Sequence, residues 1–410
     1  MVDFVTSVYL GYSFIAFYFI FLFVIIYVKK RKEYFSYPRQ TKQYSLSIVI
    51  PCYNEEETIE GTVKAVLDSD YGNLRKIFVI DDMSTDNSYH IIKKLSEKYS
   101  RVVALQTPRN SGKASGAKKY GARFADTELI GFVDADSYPQ KEAIGKMIGF
   151  FDNKDVAVVT SSILAKNKGK ALESLQEIEY KIIAFTRKLL GFIDAIYVTP
   201  GPLAIYRRSI FEKVGGFDTE NLTEDIEITW NILSKGYKVE MCVPAVVYTV
   251  VPNDIKHWYN QRVRWNIGGM QTIGKYKKEF FKKGMLGTFV LPFFILSWIL
   301  GIVGLAIFLY RAFRFVVINY LSATYSVQTQ VALLSLRDIN LNPSVMLLFG
   351  VVLFLLSLAF TFIALSIIKG REFKRIGLFY ILTYSVIYLL TYPLILITSA
   401  YKLARGKKNW

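Results

Sequence analysis

Residues 129–139 read LIGFVDADSYP: an apolar run, Leu129–Val133, that ends in Asp134 and Asp136, two carboxylates one residue apart. A short apolar run closed by polar residues reads as a buried strand. Two stretches upstream repeat the pattern, SIVIPCYNEEETI at 47–59 and IFVIDDMSTDNS at 77–88. With Val102–Leu105 and Val156–Thr160 they give five strands, Leu46–Ile50, Ile77–Ile80 and Leu129–Val133 being the others. Helical character fills the gaps at Glu55–Asp68 and Ser88–Tyr99. Strands alternating with helices predict an α/β domain with a mainly parallel sheet. The polar loops PCYNE, DDMSTD and DAD follow the strands, at the edge where such sheets place ligands.

This domain is expected over 45–254, with a membrane on both sides of it. The 410 residues are 52% hydrophobic with a mean hydropathy of +0.27. Residues 8–28 carry no charge and reach the roughly 20 residues that a helix needs to cross a bilayer. Lys29, Lys30, Arg31 and Lys32 open a basic linker, 29–44, and predict that the domain beyond it is cytosolic, at the cell membrane. Residues 168–195 place Leu172, Leu175, Ile178, Ile182 and Phe185 at helical spacing, which predicts a helix packed on the domain or lying at the membrane surface. An amphipathic region at 255–285 ends in KYKKEFFKK. Apolar spans are expected near 286–310, 343–368 and 376–400, the last containing Pro393, before a basic tail at 401–410. The stretch 312–334, with Arg314, Gln328 and Gln330, reads as a fourth span or an interface segment. Basic residues flank the last span on both sides, Lys369, Arg371, Lys374 and Arg375 before it and Lys402, Arg405, Lys407 and Lys408 after.

The formal charge of +17 is explained by membrane orientation and anionic headgroups, and no zinc-finger spacing or RNA-binding aromatic motif accompanies it, so nucleic acid is not an expected partner. Cys52 and Cys242 fall in the cytosolic part, where thiols stay reduced. His90 and His257 lack neighbours at zinc-ligand spacing.

Asp134 and Asp136 offer hard oxygen ligands to Mg²⁺ or Mn²⁺, which substrate phosphates commonly complete. Pro51, Tyr53, Glu55 and Asp82 suit the frame of a nucleotide base, with carboxylates to accept from its donors and a ring to stack on it. Asn54 and Ser84 also suit helix starts. Lys113, between glycines in NSGKASG, suits phosphate without the full Walker spacing, and equally reads as a surface lysine. In LTEDIEI, Thr223, Glu224 and Asp225 lead into a helix, as a helix N-terminus prefers, and Asp225 is also a candidate general base. In QRVRW, residues 261–265, the Trp265 ring can stack on a sugar, Arg264 can grip a diphosphate and Gln261 can hold hydroxyls; an interfacial Trp with basic neighbours is the plainer reading.

In this order, these motifs resemble the processive family 2 glycosyltransferases, which include cellulose, hyaluronan and poly-N-acetylglucosamine synthases. The resemblance covers about 45–285 and rests on the D-x-D, T-E-D and Q-x-x-R-W elements between apolar spans. It implies a GT-A fold, Rossmann-like, inserted between membrane helices. It implies that Asp82 and Asp134 bind nucleotide, that Asp136 binds the metal, and that Asp225, beside Glu224, is the base. Gln261, Arg264 and Trp265 match the motif that holds the acceptor end. Gly201 in TPGPLAIYRR matches a segment passing close to the terminal sugar. Two departures stand out: KASGAKKYG carries an extra residue and Lys119 where the family has Asn, and Pro202 follows the glycine.

The expected reaction is a single in-line displacement with inversion, from a UDP-sugar, UDP-N-acetylglucosamine first and UDP-glucose second. The acceptor is a growing polysaccharide that enters a passage between the membrane helices. The rival is transfer of one sugar to a polyprenyl phosphate or glycerolipid. A transporter or inert scaffold is disfavoured, because the catalytic carboxylates are all present.

Overall fold

The computed structural model describes residues 4–282, 284–329, 345–368 and 377–406. Lys283, Gln330, Lys369, Arg371, Lys374, Arg375, Lys407 and Lys408, and with them parts of the expected span at 343–368, of the stretch 312–334 and of the basic tail, lie outside the described residues.

Helix α1, Phe4–Lys30, closes on Lys29 and Lys30. The domain follows as β1 (Leu46–Cys52), α2 (Ile59–Leu67), β2 (Leu74–Asp81), α3 (Ser88–Lys98), β3 (Val102–Gln106), α4 (Ala114–Ala122) and β4 (Leu129–Phe132). After these come β5 (Ser137–Pro139), α5 (Ala143–Ile148), β6 (Val156–Ala165), α6 (Ala171–Gly191), β7 (Ala204–Arg207), α7 (Arg208–Lys213), α8 (Glu224–Ser234), β8 (Lys238–Thr249) and α9 (Ile255–Tyr276).

The eight strands form one sheet in the order β3-β2-β1-β4-β7-β6-β8-β5. The first four are parallel to one another, as the strand-helix alternation requires. β1 is buried along its whole length, because helices cover both faces of such a sheet. Beyond β4 the sheet turns mixed: β7 runs antiparallel to both β4 and β6, β6 pairs parallel with β8, and β5 pairs antiparallel with β8. The order reverses at β1 and β4, and the loops leaving both strands carry the carboxylates.

Gly121 of α4 shows how closely a helix approaches this sheet: a Cβ there would stand 2.6 Å from Val49 Cγ1 and 2.7 Å from Ile80 Cγ1. Helix α6, the predicted 168–195 element, buries Ile178, Phe185 and Leu189 and packs against β6, β8, α1 and the membrane helix α11 described next. It lies between the domain and the membrane segments. Helix α9 is capped by the Asp254 carboxylate, which accepts from the His257 N–H at 3.0 Å.

Among the described residues four helices, α1 and three beyond α9, are long and apolar enough to cross a membrane. Helix α10, Leu291–Thr329, continues a π-helical turn at Leu286–Val290. The expected span 286–310 and the ambiguous stretch after it are thus one rod of 44 residues to Thr329. At ~1.5 Å per residue it exceeds a hydrocarbon core of roughly 30 Å, so part of it lies beyond that core. Helix α11 is Val345–Ile367. The last span, Leu378–Ala404, comprises α12 (Leu378–Thr383), a π turn at Tyr384–Tyr388 and α13 (Leu389–Ala404). Pro393 sits inside α13 without ending it, and the irregular turn of the ladder falls just upstream. This segment packs on α9 and α6. The chain is a multi-pass membrane protein.

Candidate active site

The loops after β1 and β2 are stitched together by their polar side chains. The Asn54 N–H donates to Ser84 Oγ at 3.0 Å, and the Thr85 N–H donates to Asn54 Oδ1 at 2.8 Å. Asn54, at φ 55, therefore holds a turn rather than starting α2. Asp82 is buried and accepts from Thr107 Oγ1 and Ser111 Oγ, both at 2.7 Å, which ties the β2 loop to the segment leading into α4. Beside it Pro51 is buried and Tyr53 is exposed.

Asp134 and Asp136 leave β4 as expected. Asp136 is partly buried, and its Oδ1 accepts from Ser137 Oγ at 2.9 Å and Thr249 Oγ1 at 3.2 Å. Burial, and then the negative charges of Asp134 and Glu55, push its carboxyl up to about 7 despite those bonds. Glu55 is raised by burial too, with Asp134 adding to the effect. Three mutually repelling carboxylates at one rim are what a divalent cation relieves. Among the described residues no three His, Cys, Asp or Glu side chains gather around one point. A cation here would draw on Asp136 and Asp134 and take its other oxygens from substrate and water, as Mg²⁺ and Mn²⁺ do.

Lys118 on α4 joins this rim to the next element. Its ammonium is buried, 3.0 Å from Asp134 Oδ1 and 2.9 Å from Glu224 Oε1. Burial alone would lower its pKa, but the two carboxylates outweigh that and raise it. Lys113, the lysine singled out for phosphate, instead donates to the carbonyls of Thr219 and Glu220 at 2.8 and 2.9 Å. It pins the loop before α8. Helical spacing sets Lys118 beside the small residues Ala117 and Gly121 on one face of α4, and once packing buries that face the lysine must find a partner.

At the start of α8, burial raises the Glu224 carboxyl, but Lys118 more than offsets it and holds it low. Burial and the adjacent Glu224 push Asp225 up to about 6, with Lys118 opposing. A carboxylate with that affinity for protons is suited to act as a base near neutrality. Asp134 acts electrostatically on both Asp136 and Asp225, so the two lie along one continuous array, Asp136, Asp134, Lys118, Glu224 and Asp225. Helix α6 lines the same region: Tyr180 feels the charge of Asp136, and the buried Arg187 feels that of Asp225. Neither was legible as a site residue in the sequence.

Gly201 closes the floor. A Cβ there would stand 2.2 Å from Asp134 Oδ2 and 2.5 Å from Oδ1, and the Gly201 carbonyl accepts from the Asp134 N–H at 3.2 Å. The missing side chain makes room for a carboxylate of the protein itself. On α9, Arg264 contributes positive charge at Glu224, and Trp265 lies half-buried with the Arg262 guanidinium 4.4 Å from its ring centre.

The fold agrees with a solved structure, a mannosyltransferase from Pyrobaculum calidifontis in complex with GDP-Man and Mn²⁺, at a TM-score of 0.61 over 97% of this chain and 99% of that one. At 17% identity that likeness concerns the fold alone. Residues 47–215 match the family model for glycosyl transferase family 2. The domain that carries the site is a family 2 glycosyl transferase domain. Among its relatives, this transferase is 29% identical over 286 residues to a poly-β-1,6-N-acetyl-D-glucosamine synthase of Staphylococcus epidermidis, a stretch covering 68% of this chain and 67% of that one. It is 31% identical over 245 residues to a probable glycosyltransferase of Bacillus subtilis, 58% of each chain. The matched model spans β1 to α7, so it includes Asp82, Asp134, Asp136 and Gly201 and ends before Asp225 and QRVRW.

Proposed function

We propose that this transferase is an inverting enzyme that lengthens a polysaccharide from a UDP-sugar, with UDP-N-acetylglucosamine the first donor to test. The observation that carries the reading is the continuous array from Asp136 to Asp225 through Lys118. It sets a cation-suited pair and a base of raised pKa along one cleft.

In this reading Pro51, Tyr53, Glu55 and Asp82 frame the nucleotide base, Asp134 holds the donor, and Lys113 steadies the loop that covers it. Mg²⁺ or Mn²⁺ at Asp136 and Asp134, when bound, supplies charge neutralisation for the departing diphosphate. Asp225 takes the proton from the acceptor hydroxyl as its oxygen bonds to the anomeric carbon, and the nucleoside diphosphate leaves from the opposite face. Glu224, paired with Lys118, holds Asp225 beside it at the mouth of α8. Gly201, Gln261, Arg264 and Trp265 hold the acceptor end and the diphosphate. Lys29, Lys30, Arg31 and Lys32 put the domain on the cytosolic side of the cell membrane, from which the product passes between the membrane helices.

The S. epidermidis relative, a named poly-β-1,6-N-acetyl-D-glucosamine synthase, supports N-acetylglucosamine as the sugar and a polymeric product. The test is to supply the purified full chain in nanodiscs with several UDP-sugars and Mn²⁺, then record UDP release and product mass. A ladder of products supports the synthase; a single sugar increment on a polyprenyl phosphate or glycerolipid overturns it in favour of one-step transfer. Product confined to the cytosolic face of sealed vesicles removes the passage through the membrane.

A further inference from the structure

Arg262 occupies a position of QRVRW to which the Q-x-x-R-W pattern assigns no role, yet it is among the most buried large side chains of the molecule, at 1% exposure. Its guanidinium donates through Nη2 to Glu179 Oε2 of α6 and through Nη1 to Gln261 Oε1. Glu179 is held from the other side by the last membrane segment: Tyr388 OH donates to Oε2 at 2.6 Å, and Tyr392 OH donates to Oε1. Trp258 Nε1 donates in turn to Tyr388 OH at 2.7 Å. The guanidinium also lies 4.4 Å from the Trp265 ring centre and 5.7 Å from that of Trp258.

Two consequences follow from the chemistry of these groups. A guanidinium only donates, so it fixes the Gln261 carboxamide with its oxygen inward and its NH₂ turned to whatever binds there. A cation held on the Trp265 ring fixes the plane of that indole. A buried ion pair is a poor route to stability, since apolar side chains of similar volume serve as well or better, whereas it specifies geometry. The geometry specified here is that of Gln261 and Trp265, and the last membrane segment is part of the clamp.

We propose that Arg262 is a positioning residue for the saccharide acceptor, clamped between Glu179 and the Tyr388–Tyr392 pair so that the last membrane segment sets how firmly Gln261 and Trp265 hold the growing chain. The sugar atom opposite Gln261 is an oxygen, that of a hydroxyl or an acetamido carbonyl, which accepts from the Gln261 NH₂. This inference rests on the acceptor role given to QRVRW above.

The test uses the full chain in nanodiscs of phosphatidylethanolamine and phosphatidylglycerol, with UDP-N-acetylglucosamine, Mn²⁺ and a short N-acetylglucosamine oligosaccharide. The variants are Arg262→Met, Arg262→Lys and the double change Tyr388→Phe with Tyr392→Phe. Arg262→Met and the double variant raise the acceptor KM about tenfold, on the scale of one lost or misaligned hydrogen bond to a charged partner, and shorten the products, while the donor KM stays within about twofold. Arg262→Lys recovers part of the loss, because an ammonium keeps the pair with Glu179 without the fork that also reaches Gln261. If Arg262→Met does not fold, the double variant, which keeps the Arg262–Glu179 pair, decides. An acceptor KM unchanged in the folded double variant overturns the clamp, as does a rise of donor and acceptor KM together. A parent enzyme that releases UDP but never extends the oligosaccharide overturns the acceptor reading and the clamp with it, a result distinct from an active parent with unmoved variants.

Discussion

Gly201→Ala is the smallest change that reaches the centre of the proposed site. An added Cβ would meet Asp134 at 2.2 Å from Oδ2, 2.5 Å from Oδ1 and 2.6 Å from Cγ, so the carboxylate must back away by about 1 Å to restore ordinary contact. Opening the backbone instead would stretch the 3.2 Å bond that the Asp134 N–H donates to the Gly201 carbonyl. Retreat of Asp134 lengthens its 3.0 Å pair with Lys118, the link to Glu224. A misplacement of that size costs roughly a hundredfold in kcat/KM, about 2.7 kcal/mol of transition-state stabilisation. The assay is steady-state UDP release at several Mn²⁺ concentrations, with a thermal melt to confirm folding; the half-saturating Mn²⁺ concentration rises as well. Gly274→Ala is the control, since nothing lies within 4 Å of a Cβ there and the position is helical. It keeps full activity and gains up to about 1 kcal/mol of stability. A folded Gly201→Ala enzyme with kcat/KM within about threefold of the parent would refute the placement of Asp134 at the reacting centre.

Two other predictions use the charges of the array. Lys118→Met leaves Asp134 and Glu224 without their shared cation, destabilises the fold by about 3–5 kcal/mol and weakens donor binding; a melt and a donor titration that both match the parent count against it. The rate rises with pH through about 6 and levels off above it, because Asp225 must be ionised to take a proton and burial with Glu224 has raised its pKa to that value. Since Lys118 opposes that rise, the acid limb of any residual activity in Lys118→Met moves to higher pH, and a limb that stays in place assigns the ionisation to another group.

Much of the fold was legible because β1, β2, β4 and β6 are buried over most of their length and carry the apolar runs Ile48–Ile50, Ile77–Ile80, Leu129–Phe132 and Val156–Val159. The antiparallel part was not. β5 has three residues and β7 four, too short for a period to declare itself, and both exist through partners distant in sequence. In the site, Asp134, Asp136, Glu224 and Asp225 stand at element ends where a carboxylate is conspicuous. Lys118 is inside a helix, and its role depends on which face of α4 meets the sheet, a tertiary fact. Arg262 was masked by its neighbours in QRVRW, because burial against Glu179 and Tyr388 is set by segments 83 and 126 residues away in opposite directions. The helical spacing of 168–195 was plain, but only packing decided that α6 is enclosed between sheet and membrane helices.

The division of labour between donor site and base is tested most directly by the turnover of Asp225→Asn, measured on enzyme whose donor affinity has been titrated in the same preparation. The expected result is an unchanged Kd for the UDP-sugar with Mn²⁺ and a loss of turnover of about a hundredfold to ten-thousandfold. Undiminished turnover at that unchanged affinity would contradict the assignment of Asp225 as the group that deprotonates the acceptor.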